Sequence, residues 1–166
     1  MIRRKAITIK KYCNLMKQDE IHEMIIANKK RLDKAARRKE VIYYLDECMF
    51  TVKTFMTTDW SPKRMNVTVK SSEFNTQSTA FLGVIAEGKG MFYWKCYDRS
   101  VNGHSFVLFL HQLRKRHGKG RFILYMDNLR VHKSIIAQEA MEELDIEPIW
   151  APIYSPDYNP IEFVFS

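Results

Sequence analysis

The sequence predicts an α/β domain whose mixed sheet opens with antiparallel strands, continues with parallel strands and is flanked by helices. One observation behind this is a set of short runs rich in β-branched and aromatic residues, such as VIYYL and RFILYM. Another is Glu87-Gly88-Lys89, a turn-like link between two apolar runs that predicts a hairpin. Helical and strand patterns then alternate from His104 onward, as parallel crossovers require.

Each element has its own local signal. Residues 15–40 have apolar positions at helical spacing and no Gly or Pro, which predicts a helix. The run at 41–45 predicts a buried strand that ends in Asp46-Glu47. The other predicted elements are a strand at 49–56, a loop at 61–77, hairpin strands at 79–86 and 90–97, a helix at 104–117, a strand at 121–126, a helix at 134–144, a strand at 146–151 and a proline-punctuated loop at 154–160 that leads into a helix.

The composition suits a single globular domain. The 166 residues are 46% hydrophobic with only 6 Gly and 5 Pro, which excludes a disordered or low-complexity chain. No apolar run approaches the roughly 18 residues of a membrane helix, and the charged N-terminus has no apolar signal core, so we expect neither a membrane span nor secretion. The widely spaced Cys13, Cys48 and Cys96 form no CxxC pair and predict reduced, buried thiols.

The net charge of +8 is unevenly distributed along the chain. Residues 1–40 carry +8 and residues 41–133 carry +7, whereas residues 134–166 contain no Lys or Arg and carry −7. A basic surface favours a polyanionic partner, because phosphate neutralisation releases counterions. A solvated surface kept for solubility explains the composition equally well. An acidic region in a nucleic-acid binder is expected where carboxylates hold metal ions.

Three carboxylates stand out by position. Asp46 and Asp127 each follow a predicted buried strand, where a side chain is held rigidly at the edge at which α/β sheets bind ligands. Each alone could equally be a strand-end acid that caps a turn. Glu162 follows Asn159-Pro160, the pattern of a helix N-cap with an acid in the first turn, and this role is compatible with metal binding. Three carboxylates suit Mg²⁺ or Mn²⁺ and are poor ligands for zinc.

The segments VIYYLDECMF, FILYMDNLRVHKS and WAPIYSPDYNPIE resemble the three active-site blocks of the mariner superfamily transposases. Those enzymes have an RNase H-like catalytic domain with a DDE triad. The 34 residues between Asp127 and Glu162 are typical of the branch whose third acid is glutamate. The resemblance implies that Asp46, Asp127 and Glu162 are the catalytic acids and the ligands of two Mg²⁺ or Mn²⁺ ions. Other positions that match the blocks are Asn128, His132, Pro156, Asn159 and Pro160.

The resemblance also implies a function. It is metal-dependent cleavage of DNA strands and their transfer during transposition, with transposon ends and target DNA as partners, no membrane and a possible homodimer. Arg130, His132 and Lys133 are candidate DNA contacts beside Asp127, although His132 could equally cap the strand-to-helix loop. The implied localisation is the nucleus in a eukaryotic host and the cytoplasm otherwise.

We expect two regions. Residues 1–40 resemble a basic helical linker left from an N-terminal DNA-binding region, and residues 41–166 resemble the DDE catalytic domain, truncated just after the third acid. In so short a terminal segment, Glu162 is expected to fray. An inactive transposase remnant that only binds DNA or a partner chain is therefore an alternative. A nuclease of RNA–DNA hybrids is another, but the 34-residue spacing and the SPDYNPIE loop argue against it.

Overall fold

The computed structural model describes residues 2–51, 78–152 and 156–165. The predicted loop at 61–77 and the predicted strand beyond residue 51 lie outside these residues. Within them, helices and strands alternate much as the sequence predicts. The elements are α1 (Ile2–Arg37), β1 (Val41–Thr51), β2 (Ser78–Ala86), β3 (Gly90–Asp98), α2 (Gly103–His117), β4 (Phe122–Met126), α3 (Ile135–Glu143), β5 (Ile146–Trp150), a 3₁₀ turn (Pro156–Tyr158) and α4 (Glu162–Phe165).

The five strands form one sheet in the order β3-β2-β1-β4-β5. β1 and β3 are antiparallel to β2, and β4 is parallel to both β1 and β5. Parallel pairing of β1 with β4 follows from the hairpin and α2 between them, and α3 supplies the crossover from β4 to β5. The predicted mixed sheet is therefore confirmed.

β1 differs from its prediction in length. The sequence predicts a strand that stops before Asp46 and a second strand from residue 49, but β1 is continuous from Val41 to Thr51. The physical reason is its partner, because β2 pairs with β1 without interruption from Tyr43↔Ala86 to Thr51↔Ser78. Ladder hydrogen bonds on that side override the polar break that the two acids make in the sequence. Asp46 consequently lies in the middle of a strand.

Successive residues of β1 enter different apolar layers, because strand side chains alternate between the two faces of a sheet. Tyr43 and Leu45 belong to the larger core cluster, which α2 and α3 cover with side chains such as Phe106 and Met141. On the other face, a smaller cluster is covered by α1. It contains Ala35, Ile123, Tyr125, Ile149 and Ala151, with Leu32, Ile42 and Tyr44 packed against it.

α1 also satisfies the backbone of the edge strand β5. The Asn28 amide donates to the Trp150 carbonyl at 2.7 Å, and Arg31 donates to the Pro148 carbonyl at 3.2 Å. Arg31 forms an ion pair with Glu147 at 2.6 Å, and this hydrogen bond holds the pKa of Glu147 below its ordinary value. These contacts leave less of the β5 edge open to pairing with another chain.

The outer face of β3 is open to solvent at the opposite edge of the sheet. Cys96 is exposed and Cys48 is half-buried, and both are free thiols, so the predicted burial is wrong for Cys96. Among the described strands, β3 pairs with β2 alone and forms the edge of the sheet, which agrees with this exposure. None of the helices in the described ranges is long and apolar enough to span a membrane.

We predict that Asn28→Ala lowers the free energy of unfolding by about 1–2 kcal/mol, because the partly buried Trp150 carbonyl loses its donor. Urea denaturation followed by circular dichroism measures this change. Lys29→Ala, at the exposed neighbouring position, is the matched control and should stay within about 0.5 kcal/mol of the wild type. Equal losses in the two variants would contradict the role of Asn28 at the sheet edge.

Candidate active site

Asp46 and Asp127 lie side by side at the level where β4 ends. Asp46 pairs with Gly83 on β2, and its Oδ1 accepts the Glu47 backbone N–H at 2.7 Å. On its other side, β1 is in parallel register with β4 as far as Tyr44↔Tyr125. Asp127 follows β4 directly and is thus two positions beyond Tyr125, just as Asp46 is two positions beyond Tyr44. The two predicted acids are therefore close neighbours on adjacent strands.

The segment before α4 is anchored to β1. The Asn159 side chain is buried, and its amide donates to the Leu45 carbonyl at 3.1 Å, one residue before Asp46. The sequence predicts instead that this side chain caps the helix. The Glu162 N–H does bond to Asn159, but to its backbone carbonyl, at 3.1 Å. The pairing of β1 with β4 ends at Tyr44. The next carbonyl of β1, that of Leu45, is the one to which Asn159 donates.

α4 packs over the one position of β2 that has no side chain. Ile161 is completely buried, and the Phe165 ring meets Phe81 edge to face with 5.8 Å between centroids. A Cβ atom at Gly83 would lie 2.9 Å from Phe81 Cε1, 3.4 Å from Phe165 Cζ and 3.6 Å from Ile161 Cδ1. These contacts dock the helix that carries Glu162, whereas the sequence predicts that this segment frays.

Asp46 has a strongly perturbed acidity. Burial raises the pKa of its carboxyl to about 7, and the Glu47 N–H partly opposes this by stabilising the charged form. The negative charges of Glu162 and Asp127 raise the pKa further, as does a side-chain hydrogen bond between Asp46 and Glu162. The structure therefore places Glu162 and Asp127 within electrostatic reach of Asp46.

The surroundings of Asp127 differ from those of Asp46. Its Oδ1 lies 2.8 Å from His132 Nδ1 and accepts the Leu129 N–H at 3.3 Å. His132 lies in the loop between β4 and α3. Its side chain is completely buried, so it is not accessible to DNA. Arg130 and Lys133 are exposed in that loop, and the Lys133 ammonium lies 5.0 Å from the centre of the Trp150 ring. Their contact with DNA stays a prediction.

The donor set fits a divalent metal chemically. Carboxylate oxygens are the ligands that Mg²⁺ and Mn²⁺ prefer, and a cation near Asp46 would offset the negative charges of Glu162 and Asp127, which raise the pKa of Asp46. Among the described residues, no three His, Cys, Asp or Glu side chains are clustered tightly enough to hold an ion as they stand. The three acids are thus gathered at one site without forming a closed ligand cage.

A mixed sheet in this order, with acids on two adjacent parallel strands and on the helix that follows β5, defines an RNase H-like domain with an acidic site. The model of the DDE superfamily endonucleases matches residues 41–166, and the chain belongs to that family. The fold is similar to the catalytic domain of Mos1 mariner transposase, with a TM-score of 0.62 and 17% identity over 87% of this chain and 67% of that one.

Two further solved structures support the same fold. The Mos1 catalytic domain with Raltegravir and Mn gives a TM-score of 0.61 at 17% identity, covering 87% of this chain and 68% of that chain. Mos1 transposase in a paired-end complex with the left transposon end gives 0.60 at 18% identity, covering 83% of this chain. The chain spans 44% of that transposase. A comparison with curated proteins finds no match.

Sequence reasoning missed the supports of the site. Gly83 carries no signal of its own in TAFLGVIA, and its role appears only when α4 is seen above it. Asn159 was singled out, but as a helix cap. The bond between His132 and Asp127 spans five residues across an irregular loop, a spacing that no regular helix or strand period predicts.

We predict that Asp46→Asn stabilises the metal-free protein at pH 7 by about 1–2 kcal/mol, a value reduced for partial solvent screening. The folded-state pKa is raised to about 7 from the ordinary 3.8, so the native state binds more protons than the unfolded state between these values. Stability attributable to Asp46 is therefore present below about pH 4 and is lost as the pH rises to about 7. Asn does not ionise and abolishes this loss.

Urea denaturation in EDTA at intervals from pH 4 to pH 8 measures this difference. Glu139→Gln, an exposed position on α3, is the control and should follow the wild-type profile. An Asp46→Asn profile parallel to that of the wild type would show that Asp46 is not perturbed in solution.

We also predict that Gly83→Val loosens α4, because the added side chain occupies the space of Phe165 and Ile161. Limited proteolysis with chymotrypsin, read by mass spectrometry, should show cleavage after Tyr158 and Phe163 about 5- to 30-fold faster, the factor given by ~1–2 kcal/mol of lost docking energy. Ile85→Val, on the same strand, should cleave at the wild-type rate. Unchanged cleavage in Gly83→Val would mean that α4 does not depend on the glycine.

Proposed function

We propose that this chain is the catalytic domain of a mariner superfamily transposase, which cleaves DNA strands and transfers them in a metal-dependent reaction. The observation that carries the proposal is the position of Asp46, a carboxyl largely withdrawn from solvent beside Glu162 and Asp127. Its burial, reinforced by the negative charges of these two acids, raises its pKa to about 7. Gathering like charges is unfavourable unless a cation or a proton compensates them, so a site of this kind indicates a function. Membership of the DDE endonuclease family supports the same reaction class.

Two divalent ions held by these acids would activate a water or 3′-hydroxyl and stabilise the leaving oxygen of a phosphodiester. The chain's own residues prepare the site for them. Asp46 lies within β1 and Asp127 directly follows β4, and the segment that carries Glu162 is held to the sheet by the buried Ile161 and Asn159. Asp46 must give up its proton for all three acids to act as ligands, so we expect cation binding and activity to rise with pH through about 7.

The proposed partners are transposon ends and target DNA. Supporting this, the similar Mos1 transposase is described in paired-end complexes with transposon DNA, and its catalytic domain with Mn or Mg. In this chain, residues 1–40 supply a charge of +8, and Arg130 and Lys133 lie exposed near Asp127, where they would contact phosphates. Action as a homodimer, and in the nucleus of a eukaryotic host or otherwise in the cytoplasm, completes the proposal.

We predict that the 166-residue chain nicks supercoiled DNA carrying mariner-type ends in Mn²⁺ or Mg²⁺ and not in EDTA. Asp127→Asn should reduce the rate about 100-fold or more, because losing one ligand removes several kcal/mol of transition-state stabilisation. Gel separation of supercoiled and nicked circles gives the rate. Glu139→Gln changes the net charge by the same amount on exposed α3 and should retain wild-type activity.

The alternative, a remnant that only binds DNA, gives a different result in the same samples. It would show salt-sensitive DNA binding in a gel-shift assay, with no nicking and no change in Asp127→Asn beyond the effect of one charge. Nicking that persists in Asp46→Asn and Asp127→Asn would overturn both proposals, since the reaction would then not use these acids.

A further inference from the structure

His132 is buried at a place where packing alone needs no histidine. Its relative exposure is 0%, and the Phe106 ring lies beside it with 4.5 Å between centroids. Nδ1 lies 2.8 Å from Asp127 Oδ1, while Nε2 is buried without a hydrogen-bond partner among the described residues. A buried polar atom with no partner is costly, and the hydrogen bond between Nδ1 and Asp127 is the polar interaction that offsets this cost.

The contacts also fix which atom carries the proton. An ionised carboxylate only accepts hydrogen bonds, so Nδ1 must donate to Asp127 Oδ1. If Nε2 also carried a hydrogen, a buried donor would be left without an acceptor, whereas a bare lone pair there is less unfavourable. The geometry therefore favours the neutral imidazole with its hydrogen on Nδ1.

Two hydrogen bonds hold the Asp127 side chain, and both are accepted by Oδ1. Oδ1 accepts from His132 Nδ1 at 2.8 Å and from the Leu129 N–H at 3.3 Å. Oδ2 is the remaining oxygen, on a side chain that is 38% exposed. Partners of this kind orient metal-binding carboxylates and fix which oxygen meets the ion.

We infer that His132 is a positioning residue for Asp127, which holds Oδ1 through Nδ1–H so that Oδ2 is presented to a divalent ion. This inference rests on the proposed function, because it requires Asp127 to be a metal ligand. The Phe106 ring and the core beneath it keep the imidazole plane in place. The histidine thus links the rigid α2 layer of the core to the acid at the end of β4.

Two variants separate positioning from simple stability. His132→Asn keeps an amide N–H near the position of Nδ1, and His132→Leu fills the apolar space beside Phe106 without a donor. Calorimetric titration with Mn²⁺ should show affinity reduced about 10- to 100-fold in His132→Leu and largely restored in His132→Asn. Thermal melting without metal gives the separate effect on folding. Wild-type Mn²⁺ affinity in a folded His132→Leu variant would overturn the inference while leaving the proposed function intact.

A measurement on the wild-type protein keeps the test valid if His132→Leu does not fold. Long-range ¹H–¹⁵N spectra of ¹⁵N-histidine-labelled protein, assigned with His132→Asn, report which nitrogen carries the hydrogen. We expect Nδ1–H with a bare Nε2, and Nε2–H with a bare Nδ1 would overturn the inference alone. Failure of the wild-type chain to bind Mn²⁺ at all would overturn the proposed function and this inference together.

Discussion

Asp46 is held in the middle of β1, where pairing with β2 limits its freedom to move away from Glu162 and Asp127. Backbone hydrogen bonds to β2 fix its position, and burial removes the solvent that would otherwise screen its charge. Burial, together with the negative charges of Glu162 and Asp127, raises the pKa of this carboxyl to about 7. The rest of the site holds Asp46 near Asp127 and Glu162 although the negative charges of the three acids repel one another.

The fold sustains this arrangement by holding the segments around the acids in place through packing and hydrogen bonds. Asn159 ties the chain to the Leu45 carbonyl, and Ile161 and Phe165 press α4 onto the sheet over Gly83. Asp127 is held by His132, whose ring packs in the core beside Phe106. Packing energy therefore opposes carboxylate repulsion, which is the usual balance between stability and function at an active site.

One face of the sheet forms the larger core, and the other face holds the smaller cluster and the acids. The face covered by α2 and α3 forms the larger core, including Tyr43, Leu45 and Phe106, and supplies most of the buried apolar surface. On the other face, α1 packs over β4 and β5, and α4 lies near Asp46. The acids lie at the level where β4 ends. Because side chains alternate between the two faces along β1, Leu45 points into the larger core and Asp46 points to the opposite face, where the site lies.

Sequence alone determined the order of elements and the mixed sheet and singled out Asp46, Asp127 and Glu162 as candidates, because hydrophobic periodicity and local motifs are short-range features of the chain. It placed Asp46 at a strand end, Asn159 in a cap and Glu162 in a fraying segment. Only the tertiary structure decided these points, since the length of β1 is set by β2, and α4 is held by residues about 80 to 115 positions away. Contacts over such separations depend on how the sheet is assembled, and no local pattern records them.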